Sequence, residues 1–173
     1  MKDINLAGNT RNMTDFLGNQ WKYNCLGCAI SEGKIKVPGG LIYISDKITI
    51  QQDPEIPIEG FLVINVRRHI GSIAELDQNE KIELIEAISK SIKALKKLGV
   101  TEEVTVVQEE RAKHLHVWIF PNHPWMNEKF GKGVAYLRDI SAYAQEYATE
   151  EKKQKILQIT QKLKEYFKNC QLE

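Results

Sequence analysis

In the run KHLHVWIFP, residues 113–121, Leu115, Val117 and Ile119 alternate with His114, His116, Trp118 and Phe120. A strand sends successive side chains to opposite faces. The run therefore predicts a strand with an aliphatic face for a core and a second face bearing two imidazoles, an indole and a phenyl ring. Spacing alone leaves two readings open: a chemical site, or half-exposed histidines on a solvated sheet face.

Other stretches supply partners for this strand. FLVINV (61–66) is a continuous apolar run of strand length, which predicts a strand covered on both faces. VTVVQ (104–108) lies close enough to 114–120 to pair with it as a hairpin. GGLIYISDKITIQQ (39–52) reads as two short strands about a turn at Ser45-Asp46, and DPEIPIEG (53–60) as a connection. Asp77 opens a helix of about twenty residues that ends at Lys96, Lys97 and Gly99. Its packing stripe is expected to be Ile82, Ile85, Ile88, Ile92, Leu95 and Leu98. Residues 12–22 read as a short helix capped by Asn12 or Thr14. Past Pro121 come NHPWM, a Gly-Lys-Gly loop at 131–133, and helical segments near 134–148 and 150–168. Ile156, Ile159, Leu163 and Phe167 form the stripe of the last. The predicted class is α+β, an antiparallel sheet with helices packed on it.

At 173 residues the chain is expected to form a single domain. Its 24 basic and 23 acidic side chains leave a net charge of +1, which makes no electrostatic case for a nucleic-acid or membrane partner. No apolar run approaches the 18 or so residues of a spanning helix, and Met1–Phe16 lack an apolar signal core. Three cysteines, an odd number, suit reduced thiols and a cytoplasmic setting. Cys25 and Cys28 stand in the spacing that lets two thiolates reach one tetrahedral metal. A pair of buried thiols on a turn, or a redox pair, would have the same spacing. The flanking chain does not read as the strand-to-helix entry a thioredoxin-like pair needs.

Taken together, CLGC (25–28), GFLVINVRRHI (60–70) and HLHVWIFP (114–121) resemble the histidine-triad superfamily of nucleotide hydrolases and transferases. The likeness covers about 23–121, leaving 122–173 as a helical extension. It implies an antiparallel sheet of that family's kind and reaction at the α-phosphate of a nucleoside phosphate derivative. Such a derivative is a dinucleoside polyphosphate, as in diadenosine tetraphosphate hydrolases, or a nucleoside phosphoramidate. The middle histidine, here His116, takes the place of the family's nucleophile, with its other ring nitrogen held by a backbone carbonyl. A neutral imidazole is nucleophilic near pH 7, and a nucleotidyl-histidine splits one displacement at phosphorus into two. The likeness also implies a structural zinc held by Cys25, Cys28, His69 and His114, and a two-fold dimer through the long helix and an edge strand.

Two departures stand out. Trp118 occupies the place of the third histidine, where it keeps an N–H donor but cannot carry a proton between substrates. A branch resembling galactose-1-phosphate uridylyltransferase has glutamine there, so a donor that does not protonate is compatible with nucleotidyl transfer. A binding module with weak or no turnover is the alternative. The family's Gly-Gln-Ser segment is also missing, and Gln108 leads through Glu109, Glu110, Arg111, Ala112 and Lys113 to the strand. Gln108 resembles the family's α-phosphate contact. Arg111 or Lys113 could replace lost phosphate donors, or be solvated turn residues. Asp53, or Gln52 if the match slips by one, resembles the acidic residue that accepts from ribose hydroxyls, though an Asp before Pro54 also suits a turn. Ile42 and Ile44 are expected near the base. His123 is weighed as a general acid against a surface histidine.

Overall fold

The structure, a computed structural model, describes residues 10–169. Met1–Asn9, read above for a signal core, and Cys170, the third cysteine, lie outside the described residues.

The strands are β1 (Arg11–Thr14), β2 (Gln20–Tyr23), β3 (Tyr43–Ile44), β4 (Ile48–Gln52), β5 (Leu62–Val66), β6 (Glu103–Gln108) and β7 (His116–Asn122). The helices are α1 (Leu26–Ser31), α2 (Gln78–Lys97), α3 (Pro124–Lys129), α4 (Leu137–Glu146) and α5 (Glu150–Asn169). One antiparallel sheet runs β3-β4-β5-β7-β6, and β1-β2 form a separate hairpin. The α+β class is as the sequence predicts. FLVINV is the second neighbour of the histidine strand, and its residues 62–66 are all buried. Pro121 is accommodated within β7 because β5 pairs no further than Leu62 with Ile119, so no ladder bond is lost on that side.

Register separates the two faces. Ile50, Ile64 and Val117 lie across from one another, as do Leu62 and Ile119, and these pack with Leu84, Ala94 and Leu95 of α2 and Ile159, Leu163 and Phe167 of α5. The other face is covered in two pieces. Phe61 and Phe120 pack under Met126, Leu137 and Ile140, while α1 and the β1-β2 hairpin close a third cluster around Met13, Ile30 and Val37. Between these two covers the sheet is open.

Two local expectations are corrected. Residues 12–22 are a hairpin and not a helix. The Asp15 carboxylate accepts from the N–H groups of Leu17 (3.0 Å) and Asn19 (2.9 Å) and from the Trp21 indole (3.1 Å), and Gly18 turns the chain at φ +90. The α2 boundaries follow the expected signals, with an Asp77–Glu80 capping box and Gly99 at φ +65. Of the expected stripe, Ile88, Ile92, Leu95 and Leu98 pack on the core, but its most buried positions are Leu84, Ala87, Ser91, Ala94 and Leu95, and Ile82 and Ile85 are exposed at 47% and 63%.

Candidate active site and metal centre

Four ligand-type side chains from three separated segments converge. Cys25 precedes α1 and Cys28 lies in its first turn, His69 follows β5, and His114 enters β7. Their donor atoms all lie within 4.8 Å of one another. The sulfur–nitrogen separations are 3.1–3.5 Å, and the two Nδ1 atoms are 3.3 Å apart. A tetrahedral zinc with sulfur at about 2.3 Å and nitrogen at about 2.0 Å would need edges of about 3.5 Å and 3.3 Å. The set therefore fits zinc, and four protein donors leave no open position.

The surroundings prepare these ligands. His114 Nε2 donates to the Val66 carbonyl at 2.8 Å, so its Nδ1 keeps a lone pair facing the cluster. Burial, foremost, holds His114 below the usual imidazole range, which favours the neutral form a ligand needs. Burial likewise pushes the Cys28 thiol up to about 12, helped by Cys25; a divalent cation reverses that preference. Gly27 touches the ring of His114 so closely that a Cβ there would stand 2.3 Å from Cδ2. Beside His69, Arg68 grips the buried Glu80 with two nitrogens (3.0 and 2.8 Å), which fixes this segment to the start of α2.

Two residues along from His114, the His116 Nδ1 donates to the His114 carbonyl at 2.9 Å. Nδ1 must carry the proton in that bond, so in the neutral ring Nε2 has the free lone pair. His116 lines a cavity of about 380 Å³ with Asp53, Asn65, Lys113 and Trp118. Asn65, directly across from His116 in β5, and Gln51, across from Val63, complete the floor.

The sequence matches no protein-family model and no curated protein. Solved structures do match. One is a hypothetical histidine-triad nucleotide-binding protein from Sulfolobus tokodaii, with a TM-score of 0.59 at 17% identity over 84% of this chain and 93% of that one. A zinc-bound histidine-triad family protein from Mycobacterium smegmatis gives 0.55 at 13% identity, covering 82% and 96%. A HIT family protein from Bacillus anthracis gives 0.54 at 20%, covering 78% and 93%. The chain has the histidine-triad fold.

Trp118 packs edge-on against Phe61, with ring centres 5.3 Å apart, and stands 6.1 Å from the His116 ring. One strand face thus passes from a metal-type ligand at His114, through the cavity at His116 and Trp118, to core at Phe120. Asp53 is buried on the cavity wall. Its Oδ1 accepts from the N–H groups of Glu55 (2.9 Å) and Ile56 (2.8 Å), and burial, foremost, raises its pKa to about 7. It is both the turn former and a cavity residue.

Other sequence candidates fall elsewhere. Gln52 points away from the cavity and donates to the Ile58 carbonyl at 2.9 Å. Gln108 is opposite Val117 and so shares the α2-facing side, whereas Val107 is opposite Trp118. Arg111 pairs with Glu109 and lines a separate cavity beyond Trp118, while Lys113 lines the His116 cavity. Ile42 is core, Ile44 is exposed, and His123 donates to or accepts from nothing in the cavity, its Nε2 lying 2.9 Å from the Glu59 carbonyl. Sequence reasoning missed Gln51 and Asn65. Asn65, a lone amide in the apolar run FLVINV, was the signal available.

Proposed function

We propose that this chain is a nucleotide hydrolase or nucleotidyltransferase acting at an α-phosphate through a nucleotidyl-His116 intermediate. The observation that carries the reading is the bond from His116 Nδ1 to the His114 carbonyl beside the cavity. His116 Nε2 attacks the α-phosphorus, an N–P bond forms, and the bond to the leaving oxygen breaks. An acceptor, water in hydrolysis, then attacks the same phosphorus, releases the nucleotide and frees the ring. Asp53 would accept from ribose hydroxyls, and Asn65 and Lys113 would donate to phosphate oxygens. Trp118 can donate a hydrogen bond but no proton, so a leaving group that departs as an anion, such as a phosphate chain, suits the site better than an amine. Cys25, Cys28, His69 and His114 would hold a structural zinc, which ties α1 to the catalytic strand. The fold-mates' nucleotide-binding and zinc-bound descriptions agree with this reading.

The test is nucleoside monophosphate release from adenine and guanine dinucleoside tetraphosphates, triphosphates and phosphoramidates. His116→Ala should abolish release, with polyphosphates the better substrates of wild type; equal rates in the variant on every substrate would refute the mechanism. Trp118 favours a second reading, a nucleotide-binding module that does not turn over. Tight binding with no release from any of these substrates would establish it.

A further inference from the structure

Part of the cavity wall is built by residues that the reaction does not use. Arg11 and Tyr23 reach it from the β1-β2 hairpin, and Glu55 from the connection after β4. The Glu55 N–H donates to Asp53 Oδ1, so Glu55 is anchored one step beyond the ribose position. A ribose held at Asp53 would therefore put its base beside Glu55.

This part of the wall carries opposite charges that do not pair. Neither Arg11 nor Glu55 forms an ion pair among the described residues. Arg11 lies directly across from Tyr23 in the β1-β2 hairpin, and the Phe16 N–H at the tip of that hairpin donates to the Pro54 carbonyl at 2.8 Å. Arg11 and Glu55 therefore reach the cavity from adjoining segments. Burial lifts the Glu55 carboxyl above its ordinary range, as expected of a sheltered acceptor short of donors. Leu26, Ile30 and Pro54 supply apolar wall beside them, which suits a flat ring.

A carboxylate has two acceptor oxygens side by side, and a guanidinium has donors only. Guanine alone among the four common bases offers two adjacent donors, N1–H and N2–H₂, next to acceptors O6 and N7. Adenine and cytosine each put one amino donor beside a ring acceptor, and uracil puts one imino donor between two carbonyls. A guanidinium meets O6 and N7 well. We propose that Glu55 and Arg11 read the base, and that this cavity takes guanine nucleotides in preference to the other three. The inference rests on the nucleotide reading of the His116 cavity and adds its specificity.

The experiment titrates the full chain calorimetrically with GMP, AMP, CMP and UMP. GMP should bind about tenfold or more tighter than AMP, the scale expected of one bidentate base contact. Glu55→Gln and Arg11→Ala should each remove most of that preference. AMP affinity should change by less than about threefold, which also reports that the variants are folded. Equal affinity for GMP and AMP in wild type, or a preference unaltered in both variants, would overturn the base assignment and leave the nucleotide reading standing. No binding of any of the four would overturn both.

Discussion

At the residue scale, Gly27 is held to glycine by contact and not by backbone angle. A Cβ at this position would meet His114 Cδ2 at 2.3 Å and Nε2 at 2.5 Å, and Nε2 is the nitrogen that donates to Val66. Gly27→Ala should displace the ring and weaken zinc binding by about 10- to 100-fold, the cost typical of a lost partner behind a ligand. Competition with a chelator measures this; unchanged affinity would show that the ring can yield without leaving the cluster. Asp53 gives a second prediction. Its carboxyl titrates near 7 in the free protein, well above its ordinary 3.8. The folded state therefore keeps a proton that the unfolded chain has released, and this group lowers stability as pH rises from about 4 to about 7, with no further change above. Ribose hydroxyls donate to the carboxylate, so nucleotide binding should strengthen with pH up to about 7, by up to about tenfold per unit below it. Titrations of wild type and Asp53→Asn at several pH values isolate this slope. A slope that persists in Asp53→Asn would assign the titration elsewhere. The four ligand residues were legible because their chemistry is rare and the Cys-x-x-Cys spacing regular. Gln52 and Gln108 were misleading because a one-residue step along a strand reverses the face, and side-chain type says nothing of that step.

Among elements, the unit formed by β1, β2 and α1 has a small apolar cluster of its own and is tied to the rest at the Cys25–Cys28 end and by the bond from the Phe16 N–H to the Pro54 carbonyl. Zinc shared with His69 and His114 would be its strongest tie to the rest. Chelation of wild type and the change Cys25→Ser should both lower the melting temperature, while His116→Ala should leave zinc stoichiometric by elemental analysis. Absence of zinc from protein purified without chelator would mean that the four residues serve another purpose. The hairpin was not legible as strands because its turn depends on one carboxylate gathering four donors, a tertiary feature hidden in a sequence with good helix signals. The α2 boundaries were legible because caps are local. Its buried face was not, because the isoleucines at 82 and 85 outweigh the alanines and serine that the sheet accepts.

For the whole molecule, the sheet has one continuous core face and one divided face, and the division makes the cavity. No described helix is long and apolar enough to cross a membrane. Ile82 and Ile85, both exposed on α2, are the kind of surface that the two-fold dimer implied by the family resemblance would cover. Sedimentation should give about twice the 19.9 kDa chain mass, and a monomer at micromolar concentration would remove the dimer. The fold class was legible from alternation and run length. The position of the site between two covers was not, since α3 and α4, which form one of them, lie beyond the resemblance. The proposed nucleophile is His116, and the most direct measurement is the intact mass of protein mixed with a dinucleoside polyphosphate and quenched at alkaline pH. Wild type should gain the mass of one nucleotidyl group, and His116→Ala should gain none. Release of nucleoside monophosphate at the wild-type rate by His116→Ala, with no mass gain in either protein, would contradict it.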